Sequence, residues 1–98
     1  MLRHKLVRSR IREGCRDIYI KMHNEIPAEV ADEFREKGIS KVVCFIDDKD
    51  LFVYTEYDDE IHGEDGKVTK EFVKKLEEKC KDNEYGRKLI EVAFEFNA

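Results

Sequence analysis

Tryptophan is absent from the 98 residues, and proline occurs once, at Pro27. Hydrophobic runs are short. None approaches the roughly 18 apolar residues of a membrane-spanning helix, and the charged start of the chain lacks the apolar centre of a secretory signal. The three cysteines, Cys15, Cys44 and Cys80, lie far apart, without a Cys-x-x-Cys or Cys/His spacing. That pattern excludes a disulfide framework and a zinc site. The cysteines read as small buried hydrophobes in a reducing compartment, so a cytoplasmic location is expected. Neither sign of charge dominates, since 19 Lys and Arg face 23 Asp and Glu for a net charge of −4. A general affinity for nucleic acid or a membrane surface is therefore not expected. Linkers, repeats and low-complexity tracts are also missing, and residues 1–98 read as a single domain.

What the chain has in abundance is charge, 43% of residues against about 25% in an average domain. The Lys and Glu excess fits a surface of ion-pair networks or simply solvated helices. A chain of this length buries only about 60 to 65% of its unfolded surface, so its own core is modest and a dimer is a natural supplement.

The apolar pattern changes period along the chain. Residues 2–9 read as a strand, with Leu2 and Leu6 on one face and Val7 on the other. Ile11, Cys15, Ile18 and Met22 then recur at four, three and four, the spacing of an apolar helical stripe. Pro27 is expected to open a second short helix, with Val30 and Phe34 inward and Gly38 as its stop. Residues 39–47 are apolar on both faces and residues 51–58 follow a tight turn, which predicts a hairpin. Val68, Phe72, Val73, Leu76 and Cys80 mark another amphipathic helix. Residues 88–96 alternate, with Ile90, Val92, Phe94 and Phe96 on one side.

This order is the split βαβ pattern, an α+β ferredoxin-like antiparallel sheet with helices on one face. A strand apolar on both sides, followed by Phe52 and Tyr54, implies that the second sheet face is also covered. An identical chain in a two-fold homodimer is the simplest cover.

Tyr19 and His23 are four residues apart just before Pro27. At 100° per residue they fall on the shoulder of the Ile11/Cys15/Ile18/Met22 stripe, neither in the core nor on the outer face. Arg12 and Arg16 share that shoulder. The helix C-terminus is expected to raise the pKa of His23. Such pairs are common in helices, and as boundary residues their polar tips would simply find water or backbone. Spacing alone does not make them a site.

Beyond spacing, the chain resembles the L-rhamnose mutarotase family from its start to about Asp58, more loosely through the last helix and strand. The resemblance is carried by Tyr19-x-x-x-His23-Asn24, by Ile26-Pro27-x-Glu29-Val30, by Gly38-Ile39 before an apolar strand ending at Asp47, and by Leu51-Phe52 leading to Glu56. It implies a dimeric α/β barrel of ferredoxin-like protomers, without metal or organic cofactor, that interconverts the α and β anomers of L-rhamnose or a related deoxy-sugar. By that resemblance the family's proton-donating histidine falls on His23, as a general acid/base, and its substrate-contacting tyrosine on Tyr19. A group titrating near pH 7 serves ring opening in both directions, and a tyrosine both holds a sugar oxygen and packs its ring on the apolar sugar face. Two departures stand out. An aromatic position early in the family's second strand is Val42 here, and its tandem tryptophans correspond to Phe72 and Val73.

Tyr54 and Glu56 alternate with Thr55 on the third strand and are expected to face the same cleft, as substrate-binding residues with Phe72. Glu56 there either orients the imidazole or accepts a sugar proton; equally, it is an ion-pair partner of Arg12 or Arg16. His62 sits in an acidic loop without calcium-loop or zinc spacing and reads as solvated. Tyr85 is a candidate cover for the cleft in place of the missing tryptophans. The basic N-terminal segment raises RNA binding, but the first strand lacks the stacking aromatics an RNA-recognition sheet requires. The functional expectation is a homodimeric sugar mutarotase. Its alternative is a non-catalytic small-molecule binding module on the same dimeric barrel.

Overall fold

In the computed structural model, which describes residues 1–98, the elements follow in the order β1 (Leu2–Arg10), α1 (Arg16–Asn24), α2 (Ala28–Glu36), β2 (Ile39–Asp47), β3 (Asp50–Asp58), α3 (Lys67–Lys79) and β4 (Lys88–Ile90). The four strands form one sheet in the order β2-β3-β1-β4, each pair antiparallel. This is the ferredoxin-like arrangement, with the first and third strands central. Turn chemistry sets the boundaries. Pro27 stands at the N-cap of α2, where its missing N–H costs nothing. Gly38 follows the helix at φ +74°, a conformation open to glycine at little cost.

Strand periodicity sorts the side chains into two faces. On β3, Leu51 and Thr55 are buried under the helices, while Phe52, Tyr54 and Glu56 point the other way. The register sets Ser9, Val7 and Lys5 of β1 beside Leu51, Val53 and Thr55, and Val42, Cys44 and Ile46 of β2 on their other side. The core joins this sheet face to Tyr19, Val30, Phe72 and Leu76 of the helices, with Ile11 and Cys80 at one end.

The N-terminus of α3 is held by its neighbour. Gly66 at its N-cap offers no side-chain oxygen, and the Glu33 carboxylate of α2 instead accepts the N–H groups of Val68 (3.3 Å) and Thr69 (2.8 Å). Glu33 approaches so closely that Gly66 has no room for a Cβ. The hydrogen bonds from Thr69 hold the Glu33 carboxyl below the ordinary carboxylate range.

Two expectations are corrected. The apolar stripe does not start at Ile11, which lies outside α1 and bridges to Lys81. Gly14, at φ +80°, breaks the chain between the two, so Ile11 does not set the helix phase. As a result Ile18 is 44% exposed and Tyr19, expected on the shoulder, is 3% exposed. Secondly, the last strand is three residues, not nine. Only Leu6–Arg8 of β1 pair with it, and Val92, Phe94 and Phe96 beyond are exposed. Alternation predicted covering for those side chains, and no surface of the same chain provides it.

The sheet face away from the helices carries Leu6, Val43, Phe45, Phe52, Tyr54 and Ile90. Phe45 is 57% exposed there. No helix of the chain is long and apolar enough to cross a membrane.

Candidate active site

Between the helix layer and the sheet lies a cavity of about 980 Å³, at the upper end of the range for small-molecule sites. Its helix side includes Tyr19, His23, Phe72 and Val73, and its sheet side Val7, Ser9, Val42, Cys44, Val53 and Thr55.

His23 is fixed by three contacts. Its Nδ1 lies 2.9 Å from the backbone oxygen of Tyr19. A carbonyl only accepts, so Nδ1 carries the proton and Nε2 keeps its lone pair. The His23 ring lies 4.2 Å from the Tyr19 ring, tilted by 35°, and meets Phe72 edge-on at 5.7 Å. The imidazole is thus wedged between two aromatics with one defined tautomer. Burial lowers its pKa below the ordinary 6.5, the bond to Tyr19 opposes this, and the charge of Lys81 lowers it further. The expected rise from the helix C-terminus is overturned, because desolvation of the cation outweighs the nearby carbonyls. Burial, and secondarily Cys44, pushes the Tyr19 hydroxyl well above the ordinary tyrosine range, so it stays protonated at neutral pH.

Of the residues singled out in the sequence, the fold brings His23, Tyr19 and Phe72 together. It does not bring Tyr54 and Glu56 to them. Both sit on the opposite sheet face, outside the cavity lining, where the Tyr54 hydroxyl donates to Glu56 Oε2 at 3.0 Å. The reason is register: Thr55 between them is the residue aimed at the helices. Nor does Glu56 pair with Arg12 or Arg16. Arg12 donates to the carbonyls of Glu77, Glu78 and Lys81, and Arg16 meets Asp17. Tyr85 does not line the cavity either, its ring lying between Arg10 and Lys88 at 4.4 and 4.5 Å. His62 proves docked rather than solvated. Its Nδ1 faces Lys37 O at 3.3 Å, its Nε2 faces Lys5 Nζ at 3.4 Å, and it lines the cavity.

Sequence reasoning missed Lys81. It follows α3 in the charged run EEKCKDNE and looks like one more solvated lysine, yet the bridge to Ile11 draws it inward. Its ammonium donates to the buried Ser9 Oγ at 2.8 Å and lies 5.6 Å from the centre of the Tyr19 ring. Burial, and then the charge of Arg87, lowers its pKa. Only the long-range bridge reveals it. No three His, Cys, Asp or Glu side chains converge to hold a metal ion.

Comparison with known proteins bears on this geometry. The sequence model of the L-rhamnose mutarotase family matches residues 5–88. A crystal structure of an L-rhamnose mutarotase from Formosa agariphila superposes with a TM-score of 0.74 at 15% identity, covering 98% of each chain. At that identity it speaks for the fold. No curated protein matches the chain in sequence.

Proposed function

The chain belongs to the L-rhamnose mutarotase family, and from that premise we propose that it interconverts the α and β anomers of L-rhamnose or a related deoxy-sugar, with His23 as the proton-transfer group. The carrying observation is the His23 tautomer: Nδ1–H is committed to the Tyr19 carbonyl, so the basic Nε2 remains free in an imidazole that lines a cavity of sugar-accepting size. Mutarotation asks for little more than such a base, correctly placed. The anomeric hydroxyl gives its proton to Nε2, the bond between C1 and the ring oxygen breaks, and a proton reaches that oxygen. The open aldehyde turns about C1–C2 and closes on its other face by the reverse transfers. General base catalysis of this kind contributes about 10² to 10⁴-fold.

Phe72 offers its ring to the apolar face of the sugar, and Tyr19 holds the imidazole and its own hydroxyl in place. Val42 and Val73 leave a less aromatic wall, favouring a substrate with a substantial apolar face such as a methyl pentose. We further propose a homodimer, supported by the apolar sheet face opposite the helices, and a cytoplasmic location, supported by three free cysteines.

The test is saturation transfer between the anomers of L-rhamnose, followed by proton NMR with and without the protein. Accelerated exchange with L-rhamnose or another deoxy-sugar is expected. Binding without exchange across such a panel would replace the enzyme with a binding module.

A further inference from the structure

The cavity supplies the base half of an anomer exchange more plainly than the acid half. With Nδ1 donating to a carbonyl and protonation disfavoured by burial, neutral His23 accepts a proton and has none poised to give to a ring oxygen. Something else must protonate that oxygen as the C1 bond breaks. The lining also carries the carboxyl groups of Asp65, Glu77 and Asp82. The Thr55 and Thr69 hydroxyls and the Tyr19 phenol are weak acids.

One group remains. We propose that the Lys81 ammonium is the second proton-transfer group, protonating the ring oxygen while His23 Nε2 deprotonates the anomeric hydroxyl. The inference rests on the mutarotase reading and deepens it. Four observations support it. Lys81 lines the same cavity as His23, and both lie close to the one Tyr19 ring, 5.6 Å and 4.2 Å from its centre. Of its three N–H bonds, Ser9 Oγ takes one at 2.8 Å and no other protein acceptor is within hydrogen-bond distance. No carboxylate lies within ion-pair distance, so the charge is not consumed by a structural partner. Finally, desolvation brings the ammonium closer to neutrality as an acid, an effect Arg87 strengthens and Cys80, Cys44 and Glu77 oppose.

The step balances. The electron pair of the C1–O5 bond stays on O5, which takes a proton from Nζ. The pair of the O1–H bond becomes the second C1–O1 bond as that proton passes to His23. Closure returns both protons, so no external acid, base or redox partner is needed.

The test compares wild type, Lys81→Met and Lys81→Arg in saturation-transfer exchange of L-rhamnose as a function of pH, after subtraction of protein-free exchange, with melting temperatures recorded for all three. Arginine keeps the charge and the donors toward Ser9 but does not titrate in the accessible range. A fall in kcat of about 10²-fold or more in both variants is expected, with KM changed by less than about threefold. The alkaline limb of the wild-type profile should vanish in Lys81→Arg. Wild-type rates in Lys81→Arg would overturn the inference, reducing Lys81 to a structural charge, and they would do so even if Lys81→Met failed to fold. A wild type that exchanges no sugar sinks the mutarotase reading itself, and this inference with it, and is recognised before any variant is compared.

Discussion

Phe45→Glu should dissociate the proposed homodimer while leaving the protomer folded. Phe45 is 57% exposed, on the sheet face turned away from the helices and opposite Phe52. A phenylalanine side chain buries at least about 150 Å², so covering the exposed part removes on the order of 85 Å² from water. At about 25 cal/mol per Å² that is worth roughly 2 kcal/mol. In a two-fold interface the ring occurs twice, raising the figure to roughly 4 kcal/mol. A dimer that loses both rings should weaken by about 10³-fold in Kd, and two buried carboxylates add a further penalty. Sedimentation equilibrium over a range of concentrations, with circular dichroism to confirm the fold, reads this directly. Ile18→Ser is the matched control, because Ile18 is similarly exposed at 44% but lies on α1. An unchanged Kd in Phe45→Glu, or a dissociated Ile18→Ser, would show that the pairing surface is not the open sheet face.

Two further outcomes follow from side chains whose partners are visible. Glu33→Gln should lower the melting temperature at neutral pH, because the carboxylate that accepts the Val68 and Thr69 N–H groups is lost. Its folded pKa is depressed, so its contribution is present above the unfolded glutamate pKa and disappears as pH falls through the folded value. Wild type and Glu33→Gln should therefore converge in acid, and a difference that persists unchanged there would refute the capping role. Glu56→Gln and Tyr54→Phe should leave anomer exchange within about twofold, the scatter expected of a surface change. A loss of kcat at constant dimer content would return those two residues to the site.

The sheet and the three helices are legible in the sequence because their signals are local. Alternation in β2 and β3, Pro27 at the head of α2 and Gly38 at its end each act over a few residues. Sequence reasoning fails where a distant contact decides. Ile11 keeps the helical period of α1, whereas its bridge to Lys81 and the Gly14 turn place it outside. Tyr54 and Glu56 have the right composition for a sugar site, but strand parity decides which face they occupy, and periodicity does not say which side the helices will cover. Val92, Phe94 and Phe96 alternate like a strand and are exposed, since the pattern records a covered surface and not what covers it. His23 and Tyr19 are recognisable through family resemblance. The buried Lys81, invisible in a charged run, needs the fold.

The most direct measurement is anomer exchange of L-rhamnose by His23→Gln beside wild type, using saturation transfer at neutral pH. Glutamine removes the basic nitrogen and sets a non-basic amide near the position of Nε2. A fall of about 10²-fold or more in kcat, with the melting temperature retained, is the expected result, and on the acid side the wild-type rate should not decline until the pH is below the ordinary histidine pKa. Wild-type exchange in His23→Gln would contradict the assignment of proton transfer to that imidazole.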